Sequence, residues 1–229
     1  MGILNDWLDY IDAQVGRGVY LWGGQGKHVK DVADVKSYIN SKAQDSARAA
    51  KVWKYYQTLS KAESDIRFFD CSGLAMYFFQ NLRGVTKSDT TADGLWKGCA
   101  KLTKSNLKPG DFVFKQSGGK MVHIGYVARN GRIIEARASG YGVVKRDLSA
   151  GSWTHYGRHK WLKAEIEGST ASTAKPAAKR TVKQWQSLLL MWNPNCLPKY
   201  GADGDYGNET DAAVAALIAD LQALRNERG

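Results

Sequence analysis

The chain is poor in the residues that would build a disulfide-stabilised scaffold or a zinc site. Its 229 residues include only three cysteines, four histidines and four prolines. An odd number of widely spaced cysteines argues against a disulfide framework and indicates synthesis in a reducing compartment. No Cys-x-x-Cys pair or His–Cys spacing suggests zinc. We therefore expect neither a metal nor a cofactor.

Long hydrophobic runs are also missing from the sequence. The longest are far too short to span a bilayer. The first residues show no basic region followed by a hydrophobic stretch, which a secretory signal would need. We therefore expect synthesis in the cytoplasm without a signal peptide, and no stable insertion into a membrane.

Basic residues outnumber acidic ones, giving a formal net charge of +11. Four basic and six acidic side chains follow residue 180, a net −2, so the first 180 residues carry +13. Such a field favours polyanionic partners. The basic residues are scattered and no nucleic-acid motif accompanies them, so we expect no nucleic acid. An anionic surface polymer fits better, and a solvated surface with no partner is the alternative.

Composition also divides the chain. Residues 167–180 are small and polar without periodic apolar positions, which is typical of a linker. The sequence therefore predicts a main domain over residues 1–166, a linker over 167–180 and a small helical domain over 181–229. Within the main domain, residues 16–26 are interpreted as a glycine-rich loop that lacks the spacing of a phosphate-binding loop.

The stretch around Cys71 is the strongest chemical signal. Asp70 is suited to cap a helix that continues through the apolar run 74–79 and ends near Gly84. This places Cys71 in the first turn, where the helix dipole and free N–H groups favour a thiolate. The alternative is that Cys71 is a small buried hydrophobic residue.

A cysteine nucleophile needs a base and a third group that orients the base. His123 interrupts the strand-like segment 121–127, and Glu135 lies in the next strand-like segment, 132–136. His155 and His159 are alternative bases without a comparable context.

The turn at Asn130-Gly131 decides whether His123 and Glu135 can meet. A two-residue loop would put them on opposite faces of the hairpin. A three-residue loop over 129–131, with Gly131 in the left-handed conformation, makes opposed residue numbers sum to 260. His123 then opposes Arg137, and Glu135 is its diagonal neighbour on the same face. We predict the three-residue loop.

Several motifs together resemble the NlpC-type papain-like cell-wall peptidases. They are, in chain order, Tyr-Leu-Trp-Gly-Gly at 20–24, Asp-Cys-Ser-Gly at 70–73, Leu-Lys-Pro-Gly-Asp-Phe-Val at 107–113, His-Ile-Gly at 123–125, and Glu135. The resemblance implies Cys71 as nucleophile, His123 as base and Glu135 as orienting residue. It also implies hydrolysis of a peptidoglycan stem-peptide bond, commonly between D-glutamate and the diamino acid.

A basic insertion separates the first two of these motifs. Residues 27–62 contain two helix-like patterns and many lysines. We interpret this insertion as a lid or wall-contacting face, or as a scaffold decoration; the sequence favours neither.

The C-terminal part resembles a small helical peptidoglycan-binding module whose core reads Asp-Gly-x-Phe-Gly. Here the motif includes Asp203, Gly204, Tyr206 and Gly207, with tyrosine in place of phenylalanine. The resemblance implies that these four residues bind the cell wall. A calcium loop is a weaker alternative because its other ligand positions are missing.

These observations lead to one hypothesis. We expect an α+β, papain-like core in which a central nucleophile helix packs on a small antiparallel sheet, plus a small all-α C-terminal domain. We expect the protein to be a cell-wall hydrolase that resembles phage endolysins. It would be made without a signal peptide and would act on peptidoglycan after release. Tyr20, Asp70 and Ser72 are expected to bind substrate or its oxyanion. An N-acetylmuramoyl-L-alanine amidase and a non-catalytic wall-binding protein are the alternatives.

Overall fold

The computed structural model describes residues 2–168 and a few positions beyond them. These later positions are Gln186, Leu189, Asn193, Cys196, Leu197, Thr210, residues 212–217 and Ala219. The chain divides into two compact units, residues 1–171 and 172–229. The first unit contains all the elements described below.

The first half of the first unit mixes helices with short strands, and six consecutive strands follow α5. In chain order the elements are α1 (Ile3–Ala13), β1 (Gly18–Tyr20), β2 (Gln25–His28), α2 (Val35–Lys42), α3 (Ser46–Leu59), β3 (Arg67–Phe69), α4 (Gly73–Met76), α5 (Ala92–Lys97), β4 (Cys99–Leu102), β5 (Phe112–Ser117), β6 (Lys120–Val127), β7 (Ile133–Ala136), β8 (Val143–Arg146), β9 (His155–His159) and α6 (Lys160–Gly168). The expected mixture of helix and sheet is therefore confirmed.

The strands form two sheets. The larger sheet has the order β4-β9-β5-β6-β7-β8 and is antiparallel throughout. The smaller sheet has the order β1-β3-β2, with β1 parallel and β2 antiparallel to β3. The prediction of one small antiparallel sheet was thus incomplete, because residues 16–26, taken for a loop, supply β1 and the first half of β2. Strands of three or four residues with glycines at their ends give almost no alternating pattern to detect.

The helix after Cys71 packs on one face of the larger sheet, as predicted. Leu74, Phe78 and Phe79 are buried in the same core as Phe112 and Tyr126 of the sheet. The helix continues past α4 as a π-helical segment, Tyr77–Leu82, which the sequence pattern did not predict. It ends as expected before Gly84, whose φ is +60°, a left-handed conformation that glycine adopts without strain.

Helix α1 packs its apolar side into this core, as its periodicity predicts. The ring of Trp7 lies 4.9 Å from that of Phe79 and 5.0 Å from that of Tyr126, measured between centroids. The side chain of Glu165 in α6 accepts hydrogen bonds from the backbone N–H groups of Ile3 and Leu4. A carboxylate at this end satisfies free N–H groups and complements the helix dipole.

The basic insertion has a small core of its own. Helices α2 and α3 fall within residues 27–62, as the two helix-like patterns predict. Ile39 and Val52 from these helices are buried with Val19 and Phe68 of the smaller sheet and with Ile66, which precedes β3. The insertion is thus built onto the strand that leads directly to Cys71.

The end of the first unit differs slightly from the prediction. Helix α6 continues through Gly168, so the linker does not begin at residue 167. The rest of the predicted linker and most of the predicted C-terminal domain lie outside the described residues. Among the described positions of the second unit, Leu189, Leu197 and Ala213 are buried together, and Gln186 donates a hydrogen bond to Thr210.

The described residues provide neither a membrane-spanning helix nor a metal cluster. Over the residues that the structure describes, no helix has both the length and the apolar character needed to cross a bilayer. Those residues also contain no group of three or more potential metal ligands.

Candidate active site

The β6–β7 hairpin has the register that the catalytic hypothesis requires. Tyr126 pairs with Ile134 and Val127 with Ile133, so opposed residue numbers sum to 260. Gly131 has a φ of +77° and occupies the left-handed position of a three-residue loop. The predicted loop is therefore confirmed.

His123 and Glu135 meet on one face of this hairpin. The Nε2 atom of His123 lies 2.6 Å from Oε2 of Glu135. Glu135 is almost fully buried and His123 is 13% exposed. When the carboxylate accepts the Nε2 proton, the Nδ1 atom of the neutral ring is left as the proton acceptor. The predicted contact between these two residues is thus present.

The second oxygen of Glu135 is bound by an arginine from the neighbouring strand. Arg146 of β8 donates to Oε1 from Nε at 2.9 Å and from Nη2 at 2.5 Å. Burial raises the pKa of the Glu135 carboxyl, but hydrogen bonds from His123 and Arg146 outweigh burial, and the pKa lies below its ordinary value. The carboxylate is therefore charged at neutral pH.

An aromatic ring covers the imidazole. The ring of Trp153 stacks on that of His123 at 5.7 Å between centroids, with 11° between the planes. The ammonium group of Lys115, which is paired with His123 across β5 and β6, lies 4.8 Å from the centre of the Trp153 ring. This packing restricts rotation of the imidazole.

The loop that carries Cys71 is held by Asp70. Its Oδ1 accepts from the backbone N–H of Gly73 at 2.6 Å and from the Ser72 hydroxyl at 3.1 Å, while Oδ2 accepts from the backbone N–H of Gly23. The Asp70 carboxylate therefore binds the first N–H group of α4, but the N-cap position is Ser72 and not Asp70 as predicted. Cys71, however, lies in the turn that precedes α4, not in its first turn.

Polar backbone groups surround the Cys71 sulfur. The backbone N–H groups of Ile124, Ser72 and Cys71 itself lie close enough to the sulfur to lower the pKa of its thiol. Burial nevertheless raises the pKa of the thiol to about 12, with a further contribution from the charge of Asp70. The expectation of a resting thiolate was wrong, because desolvation outweighs the helix terminus at this buried position. The Ile124 contact places the sulfur beside the segment of β6 that carries His123.

Two tyrosines approach Cys71 from different elements. Tyr20 pairs in register with Phe69, which precedes the Asp70–Cys71 loop. Burial raises the pKa of Tyr20 well above its ordinary value, and the nearby Cys71 and Asp70 raise it further. The Tyr20 hydroxyl therefore remains a neutral donor. The hydroxyl of Tyr126 donates to the backbone carbonyl of Cys71 at 2.7 Å. The insertion therefore does not separate Tyr20 from the Cys71 loop.

The alternative histidines lie elsewhere in the sheet. Both are on β9, which is separated from β6 by β5. His155 contacts the Trp96 ring by its edge. His159 stacks on Phe112, and burial lowers its pKa to about 4. Neither histidine shares the Glu135 environment.

Sequence reasoning missed three residues of this site: Tyr126, Arg146 and Trp153. Strand alternation does indicate that Tyr126 lies on the opposite face of β6 from His123. The other two could not be found, because the pairing of β7 with β8 and the position of the segment before β9 depend on loops without a pattern. The predicted wall-binding residues Asp203, Gly204, Tyr206 and Gly207 lie outside the described residues.

Comparison with known proteins identifies relatives for the first unit. The family model described as NlpC/P60 matches residues 16–161. Over 89 residues the chain is 36% identical to the probable endopeptidase p60 of Listeria seeligeri, covering 38% of this chain and 16% of that protein. Over 93 residues it is 33% identical to the murein DD-endopeptidase MepH of Escherichia coli, covering 38% and 34%. Over 73 residues it is 38% identical to the gamma-DL-glutamyl hydrolase of Bacillus subtilis, covering 31% and 17%.

These relatives are matched over at most about a third of their own length. Among solved structures, the peptidoglycan hydrolase RipB of Mycobacterium tuberculosis aligns with a TM-score of 0.42 and 22% identity, over 68% of this chain and 65% of that one. RipD of the same organism, described as a non-catalytic NlpC/p60 domain protein, aligns with a TM-score of 0.44 and 16% identity, over 69% and 98%. Since the family model covers more than half of the chain, the protein belongs to the NlpC/P60 family.

Proposed function

We propose that the protein is a cysteine peptidase that hydrolyses a stem-peptide bond of peptidoglycan. One observation carries the proposal: the backbone N–H of Ile124, the neighbour of His123, lies close enough to the Cys71 sulfur to lower the pKa of the thiol, while Nε2 of His123 lies 2.6 Å from the buried carboxylate of Glu135. A thiol, an imidazole and a carboxylate in this order are the parts of thiol-based acyl transfer.

In the proposed mechanism, His123 accepts the thiol proton as Cys71 attacks the peptide carbonyl. Because the pKa of the resting thiol is about 12, proton transfer accompanies attack instead of preceding it. Glu135 stabilises the resulting imidazolium. The backbone N–H groups beside the sulfur and the neutral Tyr20 hydroxyl are candidate donors to the oxyanion. His123 then protonates the leaving amine, and water hydrolyses the thioester.

Asp70 and Ser72 have a positioning role in this proposal. Both oxygens of the Asp70 carboxylate accept hydrogen bonds within the protein, one of them from the Ser72 hydroxyl. These bonds hold the turn at Gly23 against the Cys71 loop. The side chains of Asp70 and Ser72 thus shape the substrate-binding surface that Tyr20 and Cys71 line.

The test of catalysis is the Cys71→Ala variant on purified cell walls. We expect release of soluble wall fragments to be abolished while the variant still sediments with the walls. Cys196→Ala is the matched control, because Cys196 is a free cysteine of the second unit, and it should retain full activity. Undiminished wall solubilisation by Cys71→Ala would refute the proposal. No solubilisation by the unaltered protein, with binding retained, would favour a non-catalytic wall-binding protein.

The bond we propose is that between D-glutamate and the diamino acid, and the names of related endopeptidases and of a gamma-DL-glutamyl hydrolase support this class of substrate. Mass spectrometry of the digestion products distinguishes the possibilities. New amino termini on the diamino acid are expected. New amino termini on L-alanine would instead identify an N-acetylmuramoyl-L-alanine amidase, which the same catalytic groups can serve.

We also propose that the protein acts as an endolysin and that its charge helps it to bind anionic wall polymers. The proposal is supported by the net charge of +13 carried by the first 180 residues. It is also supported by the motif that resembles a wall-binding module and includes Asp203, Gly204, Tyr206 and Gly207. Binding of Cys71→Ala to walls should weaken between low and high salt because screening shortens the range of the field. Salt-independent binding would contradict the electrostatic part, and failure to lyse permeabilised bacteria would contradict the endolysin role.

A further inference from the structure

The carboxylate of Glu135 is held from both sides by its diagonal neighbours in the sheet. Glu135 pairs with Val144 and Ile133 pairs with Arg146, so Arg146 lies two residues further along β8 on the same face. On the other side, opposed residue numbers of β6 and β7 sum to 260, so His123 of β6 is the corresponding diagonal neighbour of Glu135. The two partners bind different oxygens: Arg146 binds Oε1 and His123 binds Oε2.

The arginine is itself anchored. Its Nη1 atom donates a hydrogen bond of 2.8 Å to the backbone carbonyl of Ala150, which follows β8 in the chain. The guanidinium therefore has two N–H groups on one carboxylate oxygen and a third on the backbone. A planar, forked donor of this kind fixes the direction of a carboxylate, which a lysine ammonium cannot do.

We propose that Arg146 is a positioning residue for catalysis, which acts by aiming Oε2 of Glu135 at His123 and thereby selecting the Nε2–H tautomer of the imidazole. This inference rests on the proposed function, because the tautomer matters only if Nδ1 accepts the proton of Cys71. Arg146 touches neither the nucleophile nor the base and is distinct from the three residues proposed for the chemistry.

The charges around Glu135 give the inference a second consequence. His123 on β6 and Arg146 on β8 face the carboxylate directly, and Lys115 on β5 faces the Trp153 ring that covers His123. Burial raises the pKa of the Glu135 carboxyl, and hydrogen bonds from His123 and Arg146 lower it. A variant without Arg146 loses one of these two lowering contributions. The carboxyl then takes up its proton at a higher pH, and the acidic side of the pH–rate profile should move upward.

The test uses Arg146→Gln and Arg146→Lys, with Arg132→Gln as the matched control. Arg132 pairs with Asp147 on the exposed surface of the same hairpin region. Ring-nitrogen NMR of the four histidines reports the tautomer of His123 without any substrate, and His123→Ala assigns its signals. Thermal unfolding shows whether each variant is folded.

We expect the unaltered protein and Arg132→Gln to show the Nε2–H tautomer alone. Arg146→Gln should show a mixture of tautomers, a loss in kcat/KM of about 10²-fold with little change in KM, and an acidic limb at higher pH. Arg146→Lys should keep the acidic limb near its original place but recover only part of the rate, because it restores charge without the fork.

An unchanged tautomer and an unchanged acidic limb in folded Arg146→Gln would overturn the inference. The outcome is separable from failure of the proposed function. If the unaltered protein did not hydrolyse peptidoglycan, the NMR measurement would still decide whether Arg146 selects the tautomer, and wall digestion would have refuted catalysis independently.

Discussion

The hydroxyl of Tyr126 in the sheet donates a hydrogen bond to the backbone carbonyl of Cys71 in the loop before the helix. This bond, 2.7 Å long, ties the loop to the strand that also carries His123. Tyr126→Phe should destabilise the fold by about 1–3 kcal/mol, because a buried carbonyl loses its partner, and should lower kcat more than it changes KM. Urea unfolding and wall digestion measure both effects.

Tyr141→Phe is the control for that substitution, because the Tyr141 side chain is exposed. We expect it to leave stability within about 0.5 kcal/mol of the unaltered protein. Equal behaviour of the two variants in both assays would show that the Tyr126 hydroxyl does not hold the Cys71 loop.

Glu135 should contribute a pH-dependent part of the stability. Its pKa in the folded protein lies below the ordinary value, so the charged carboxylate stabilises the folded state above the pKa of the unfolded chain. That contribution is lost as the pH falls through the folded-state pKa. Glu135→Gln should therefore show a smaller decrease in unfolding free energy on acidification than the unaltered protein. Denaturant unfolding at a series of acidic pH values tests this, and identical slopes would contradict it.

Gly73 should tolerate no side chain. A Cβ atom there would overlap the carbonyl oxygen of Gly24, where the first turn of the helix meets the turn bound by Asp70. Gly73→Ala should cost about 1–3 kcal/mol through overpacking and reduce activity by displacing Cys71. Gly168→Ala is the control, since the space around that position is open. Thermal unfolding compares the two, and equal stability would refute the expected overlap.

A buried ion pair elsewhere in the domain should be important for stability only. Arg158 donates from Nε and Nη2 to the two oxygens of Asp111 at 2.8 and 2.9 Å, and both side chains are buried. Asp111→Ala should cost about 3–5 kcal/mol because a buried guanidinium loses both of its close carboxylate hydrogen bonds and keeps only the longer pair with Glu167 at 3.5 Å. Asp147→Ala, which breaks an exposed pair with Arg132, should cost less than about 1 kcal/mol. Comparable losses in denaturant unfolding would contradict this.

The local sequence pattern was enough to predict several helices and the hairpin loop that positions His123 and Glu135. Helical spacing predicted α1 and both helices of the insertion. The loop at 129–131 was predicted against the usual preference of an Asn-Gly pair, because only that register lets His123 meet Glu135.

The parts that could not be predicted depend on contacts distant in sequence. Strands β1, β2 and β3 are too short to show alternation, and their pairing exists only once the insertion has folded back. The Arg146–Glu135 contact depends on the β7–β8 register, which follows a loop with left-handed glycines at 140 and 142. The Cys71 pKa depends on burial, which a helix-terminus argument leaves out.

The place of β9 between β4 and β5 has a consequence for how the protein is made. This strand is the last that the structure describes, yet it lies inside the sheet, so a growing polypeptide exposes the open edge of β5 until residues 155–159 have left the ribosome. Synthesis proceeds from the amino terminus. Cys71, His123 and Glu135 are all translated before their supporting sheet can be completed, so the proposed catalytic site cannot form until nearly the whole first unit has emerged.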